Sequence, residues 1–102
     1  MSRLFDAASS TFMKGNYDFY RRQGDFLEVL RGCGDEEVKY RDEYENSVLI
    51  VMALEHDWPE AAAAVIERGC DVNATNNAGA TALHFAGYNS HIEAVQQLLR
   101  AG

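Results

Sequence analysis

The strongest constraint on this chain is that it repeats itself. Glu93, the pair Leu98-Leu99 and Gly102 recur at a spacing of 33 as Glu60, Val65-Ile66 and Gly69. Val72, Thr81 and Leu83 recur at a spacing of 34 as Val38, Ser47 and Leu49, so one unit carries one extra residue near His56 or Asp57. A period of this length marks supersecondary units that cannot bury their apolar faces alone and stack to share a core. The 102 residues leave room for one such stack and little else.

Each part of the unit has a physical job. In the later copy Gly79 suits a turn that needs positive φ, and Thr81 offers a hydroxyl to the orphan backbone N–H groups of a following helix. Leu83 and Ala86 are expected on one face of that helix. Ile92, Val95, Leu98 and Leu99 then form an apolar stripe at helical period, which predicts a second helix. In the earlier copy Ser47 starts the run Val48–Leu54, whose β-branched residues alone suit a buried strand, but whose register makes it the first helix of a pair. His56 and Asp57 form the connection. Asp57 and Glu60 resemble a capping box, Pro59 falls in the first turn, and Gly69 suits the C′ position. Ala61–Ala64 places the strongest helix former at four successive positions, as expected of a helix packed closely on a neighbour.

The later copy reads Asp71-Val72-Asn73-Ala74, Gly79-Ala80-Thr81-Ala82-Leu83-His84-Phe85-Ala86, Ser90-His91-Ile92-Glu93-Ala94-Val95 and Leu98-Leu99-Arg100-Ala101-Gly102. It closely resembles the ankyrin-repeat consensus, departing from it at Ala82, Gly87 and Ser90. The resemblance implies an all-α fold, a solenoid of helix-turn-helix units with short β-turn fingers. It divides a single domain, 1–102, into repeats at 38–70 and 71–102 and a degenerate N-terminal cap at 1–37. Within the cap, Gln23–Leu30 resembles the turn and second helix of a further unit, cut short by Gly32-Cys33-Gly34. Leu4, Phe5, Ala8, Phe12 and Met13 stand at helical spacing, followed by an aromatic patch at Tyr17, Phe19 and Tyr20.

Composition narrows the function. The net charge of -7 argues against a surface built to neutralise phosphates and favours a basic partner. The charge is local: residues 35–70 hold ten acids and three bases, whereas 1–34 balance to +1 and 71–102 to -1. Six of the acids lie between Asp35 and Glu45, a run that suits either a solvated face or a negative finger that meets a partner. No membrane span is expected, because the longest apolar run, Val48–Leu54, has seven residues. With no secretory signal at Met1–Phe12, the expected location is cytoplasmic, and the glycosylation pattern at Asn73 is read as accidental.

No catalytic, cofactor or metal constellation stands out. Asp71-x-Asn73-x-Thr75 begins like a calcium loop but has Asn76 and Ala82 where that loop needs Gly and Glu; Asp71 and Asn73 better suit a turn that bonds its own backbone. The resemblance makes His84 and His91 structural, with His84 bonding neighbouring backbone. Cys70 is expected to be a buried thiol and Cys33, between two glycines, the more exposed of the two.

The resemblance also nominates a binding surface, since ankyrin repeats bind through finger tips and the exposed positions of each first helix. Carried over residue by residue, this gives Arg41, Glu43, Tyr44, Glu45 and Asn46 on one finger and Thr75, Asn77, Ala78 and Ala80 on the next. Leu54, Glu55, Tyr88 and Asn89 would line the adjacent concave face. Tyr44, with Tyr40, stands among the acids, and tyrosine buries much area at small entropic cost. At the other end Val95, Leu98 and Leu99 have no polar cap after them, which implies further repeats, self-association or a docked partner. The expected function is a non-enzymatic module that binds another protein with a basic surface. The alternatives are an acidic inhibitor or immunity-type protein that occludes a basic active site, and the N-terminal structural part of a longer repeat protein.

Overall fold

A computed structural model describes Leu4, Ala8 and residues 23–102. Apart from Leu4 and Ala8, which are helical and fully buried in the core, the expectations for residues 1–22 lie outside the described residues. Six helices follow: α1 (Gln23–Arg31), α2 (Asp35–Val38), α3 (Val48–Glu55), α4 (Pro59–Glu67), α5 (Ala82–Tyr88) and α6 (Ile92–Ala101). Among the described residues there is no named strand, only an isolated bridge between Arg41 and Ser47. The expected all-α class holds.

The helices sort into two layers. First helices α3 and α5 pack side by side, second helices α1, α4 and α6 form the other layer, and the pairs α3–α4 and α5–α6 close each hairpin. The core between them is Phe26, Leu30, Val38, Leu49, Ile50, Met52, Ala61, Ala62 and Val65, with Trp58 tilted against Phe26 at 5.6 Å between ring centres. Val48 to Ala53 are buried without a break. Being covered all round makes this run look like a buried strand, yet it folds as the helix that the repeat register requires.

Helix ends explain the register. Ser47 Oγ accepts from Ile50 N–H at 3.2 Å and Thr81 Oγ1 from His84 N–H at 3.3 Å, so the two first helices start on equivalent hydroxyls of successive repeats. Pro59 sits in the first turn of α4, and Gly69 follows its last turn at φ +104°.

The second helices start differently from the capping box expected at Asp57. Trp58 is the N-cap of α4 and makes no side-chain cap bond. The N–H of Ala61 instead donates to Gln23 Oε1 at 2.7 Å, and the N–H of Ala94 to Asp57 Oδ1 at 2.7 Å. Helices α4 and α6 are thus each capped by the preceding unit. Asp57 was legible as a cap, but the helix it serves is α6, because the hairpin turn points its side chain at the neighbour.

Two burial expectations are also corrected. Cys33 is only 6% exposed, and its thiol donates to the Val29 carbonyl. Arg68 explains the close packing there: its guanidinium donates to the carbonyls of Leu30 and Cys33, folding the glycine-flanked link onto α4. On α5 the buried pair is Ala82 and Ala86, whereas Leu83 is 37% exposed, so Leu83 and Ala86 do not share a buried face.

Asp57→Ala is expected to destabilise the fold by about 1 kcal/mol, the usual worth of a helix cap. Urea unfolding of the two proteins checks it. A second expectation concerns His56, whose ring stacks on Trp58 at 3.7 Å between centres and whose Nε2 meets no partner among the described residues. Burial, reinforced by nearby His91, pulls its pKa from 6.5 to about 4 against a hydrogen bond with the Ala8 backbone. The unfolded chain therefore takes up a proton below pH 6.5 that the folded chain refuses until about pH 4. Stability is complete above 6.5 and falls through that window, by about 1 kcal/mol at pH 5 after allowing for partial solvent screening. Unfolding curves recorded above this window and in the middle of it should show the loss in the wild type and a smaller one in His56→Gln.

Candidate functional site

The two β-turn fingers are built alike and joined edge to edge. In the first, Asp42 Oδ1 accepts from the N–H groups of Tyr44 at 2.9 Å and Asn46 at 2.8 Å. Asn76, its counterpart in the next repeat, does the same with its Oδ1 for Ala78 at 2.9 Å and Ala80 at 3.1 Å. These side chains replace the backbone partners that a tight turn cannot supply. The turn then demands a residue at positive φ. In the second finger it is Gly79 at +80°, and in the first it is Glu45 at +63°. A non-glycine residue there carries local strain.

Four bonds lock the fingers together. The N–H of Asn77 donates to the Tyr44 carbonyl at 2.9 Å, Asn76 Nδ2 to Asn46 Oδ1 at 2.9 Å, Asn77 Nδ2 to the Glu43 carbonyl at 3.5 Å, and Arg41 to the Thr75 carbonyl. Arg41 also donates through Nε to the Glu45 carbonyl and lies 3.7 Å from the Glu45 carboxylate. The finger edge is therefore a fixed platform. Beside it Asn89 Nδ2 donates to the Leu54 carbonyl and His91 Nδ1 to the Ala53 carbonyl, tying the turn after α5 to the end of α3.

The nominated residues fall into three environments. Glu43, Tyr44, Glu45, Thr75, Asn77 and Ala78 lie on the fingers, and Leu54, Tyr88 and Asn89 on or after the first helices; of these, Thr75 is exposed together with the others at the finger tips. Tyr88, at 83%, and Tyr44, at 61%, are the most open tyrosines among the described residues. Arg41, Asn46 and Glu55 are half-buried. Ala80 is buried, because the finger returns to the core at that point to enter α5. It contributes to the wall behind the surface and not to the surface itself.

The histidine roles are redistributed. His84 is exposed and its ring meets the edge of Phe85, while the backbone-bonding role expected of it belongs to His91. Asp71 accepts from Asn73 N–H at 2.9 Å, the turn role expected of it. Cys70 is 7% exposed, and burial pushes its thiol up from 9.0. Among the described residues no group of three or more metal-ligating side chains converges, and no helix is long and apolar enough to cross a membrane.

At the far end of the stack Leu98 is buried and Val95 half-buried, leaving Leu99 as an exposed member of the expected apolar stripe. It joins Leu83, Val72 and Thr81 around a groove of about 220 Å³. Sequence reasoning missed Leu83 here. The signal was its counterpart one repeat earlier, Leu49, which is buried where a following repeat covers it.

The family model for ankyrin repeats (3 copies) matches residues 19–102 of the chain. No curated protein matches it. The matched span takes in α1, which lies in the second-helix layer against α4.

Replacing Glu45 by Gly is expected to stabilise the protein by about 0.5–1 kcal/mol, since glycine takes positive φ without the steric strain of a Cβ. Thermal unfolding measures it, and a loss of stability would show that the Glu45 carboxylate matters more to Arg41 than the backbone strain does.

Proposed function

The chain belongs to the ankyrin-repeat family, whose repeats generally mediate protein–protein interaction, and from that premise we propose that it is a non-enzymatic module binding a basic protein surface through its fingers. The observation that carries this is the locked finger platform with Tyr44 exposed between Glu43 and Glu45. A preorganised surface costs little ordering entropy on binding, and an open tyrosine supplies area for a central contact. The acids steer a cationic partner toward it and oppose acidic ones. Leu54 and Tyr88 extend the contact along the first helices, and Thr75, Asn77 and Ala78 continue it on the second finger. Arg41 and Asn46 act from below by holding the fingers in place.

The exposed leucines of the terminal groove favour a second reading, in which α5 and α6 stack on another repeat-like helical pair, from a second copy or from a longer chain. Sedimentation across a wide concentration range separates a self-associating protein from a monomer.

For the finger surface, partners recovered by affinity capture on the wild type are compared with those on Tyr44→Ala and on Glu43→Lys/Glu45→Lys. A partner that uses this surface binds Tyr44→Ala about tenfold more weakly. The charge reversal slows its association, with an effect that shrinks as salt rises. Circular dichroism should be unchanged in all variants. Loss of helicity would assign the acids to the fold, and retained binding would move the contact elsewhere.

A further inference from the structure

The acidic segment 35–70 contains three bases, Lys39, Arg41 and Arg68. Arg68 is spent on the carbonyls of Leu30 and Cys33. The other two line one cavity of about 280 Å³ at the root of the first finger, together with Ser47, Gly69, Cys70 and Asp71. In a chain of net charge -7, the convergence of two cations on one concave site is the feature that the binding surface does not absorb.

We propose that this cavity is a binding site for a small tetrahedral oxyanion of the phosphate class. The cations reach it from different directions. Arg41 is held by its Nε and Nη2 bonds to the Glu45 and Thr75 carbonyls, which fix the guanidinium plane and leave Nη1 outside those bonds. Lys39 lies across Gly69, its Cε only 3.3 Å from where a Cβ would stand, so the absence of a side chain at 69 gives the lysine its place. Ser47 adds a hydroxyl whose oxygen accepts from Ile50 N–H and whose proton is left for an oxyanion. Cys70 adds no negative charge, because burial holds its thiol protonated. Among the described residues the only acid in the wall is Asp71, whose Oδ1 is engaged by the Asn73 N–H; the Glu45 carboxylate meets Arg41 from outside the wall. Two cations against one acid leave the cavity lining positive inside an acidic protein, and charge-assisted bonds to phosphate oxygens are among the stronger ones available.

The same chemistry reaches the site as free phosphate or as a phosphorylated side chain, and one titration distinguishes them. Inorganic phosphate is added to isotopically labelled protein at constant ionic strength while amide shifts are followed, with sodium chloride as control. The expected result is a saturable shift at Ser47, Gly69, Cys70, Asp71 and Ala74. Lys39→Gln should weaken it about three- to fivefold, and Asp71→Asn, which keeps the acceptor for Asn73, should tighten it by a similar factor. Opposite effects from two surface variants cannot come from a general loss of folding. A short phosphoserine peptide that binds tighter than phosphate at the same amides assigns the source to a modified partner, and equal binding assigns it to the free ion. Shifts no larger than those in sodium chloride, or shifts indifferent to both variants, would overturn the proposal.

Discussion

An α-helix begins with backbone N–H groups that have no partner inside the helix, and the second helices of this protein meet that need across repeats. Gln23 bonds Ala61 and Asp57 bonds Ala94, at equivalent positions of successive units. The layered arrangement depends on it. Once each second helix is tied to the turn before it, α1, α4 and α6 must lie side by side, and the first helices are brought together on the opposite layer. Apolar burial supplies the driving force, but it is non-directional. The cross-repeat bonds decide which surfaces meet.

What the sequence disclosed and what it withheld divide along that line. Features that act within a few residues were readable: Thr81 as a cap, Gly69 and Gly79 at positive φ, Asp71 in its own turn. The repeat spacing also overrode the strand-like composition of Val48–Leu54. Features that depend on a neighbouring unit were not readable. Asp57 has the local signature of a cap for its own helix, Cys33 stands between glycines as if exposed, and His84 occupies the family's backbone-bonding position. Each is reassigned by contacts with another repeat or by packing of the link on α4, which no local window contains.

The candidate surface follows the same division. Exposure of Tyr44 and Tyr88 was anticipated by the family resemblance, while burial of Ala80 and the supporting roles of Arg41 and Asn46 come from the way two fingers share an edge. That edge shows why the acidic run does not unravel the finger. Asp42 is turned inward to the backbone, Glu45 is set beside Arg41, and the repulsion that remains is left to Glu43 at the tip.

The capping of α4 and α6 by the preceding unit also gives the stack a direction. A piece of the molecule that keeps its earlier repeats keeps every acceptor those helices use, but a piece starting at residue 71 would lose Asp57 and the carbonyls of Ala53 and Leu54 that hold His91 and Asn89. Each later hairpin therefore leans on groups supplied by the one before it. Ser90, the counterpart of Asp57 in the following repeat, sits at φ +58° at the turn between α5 and α6.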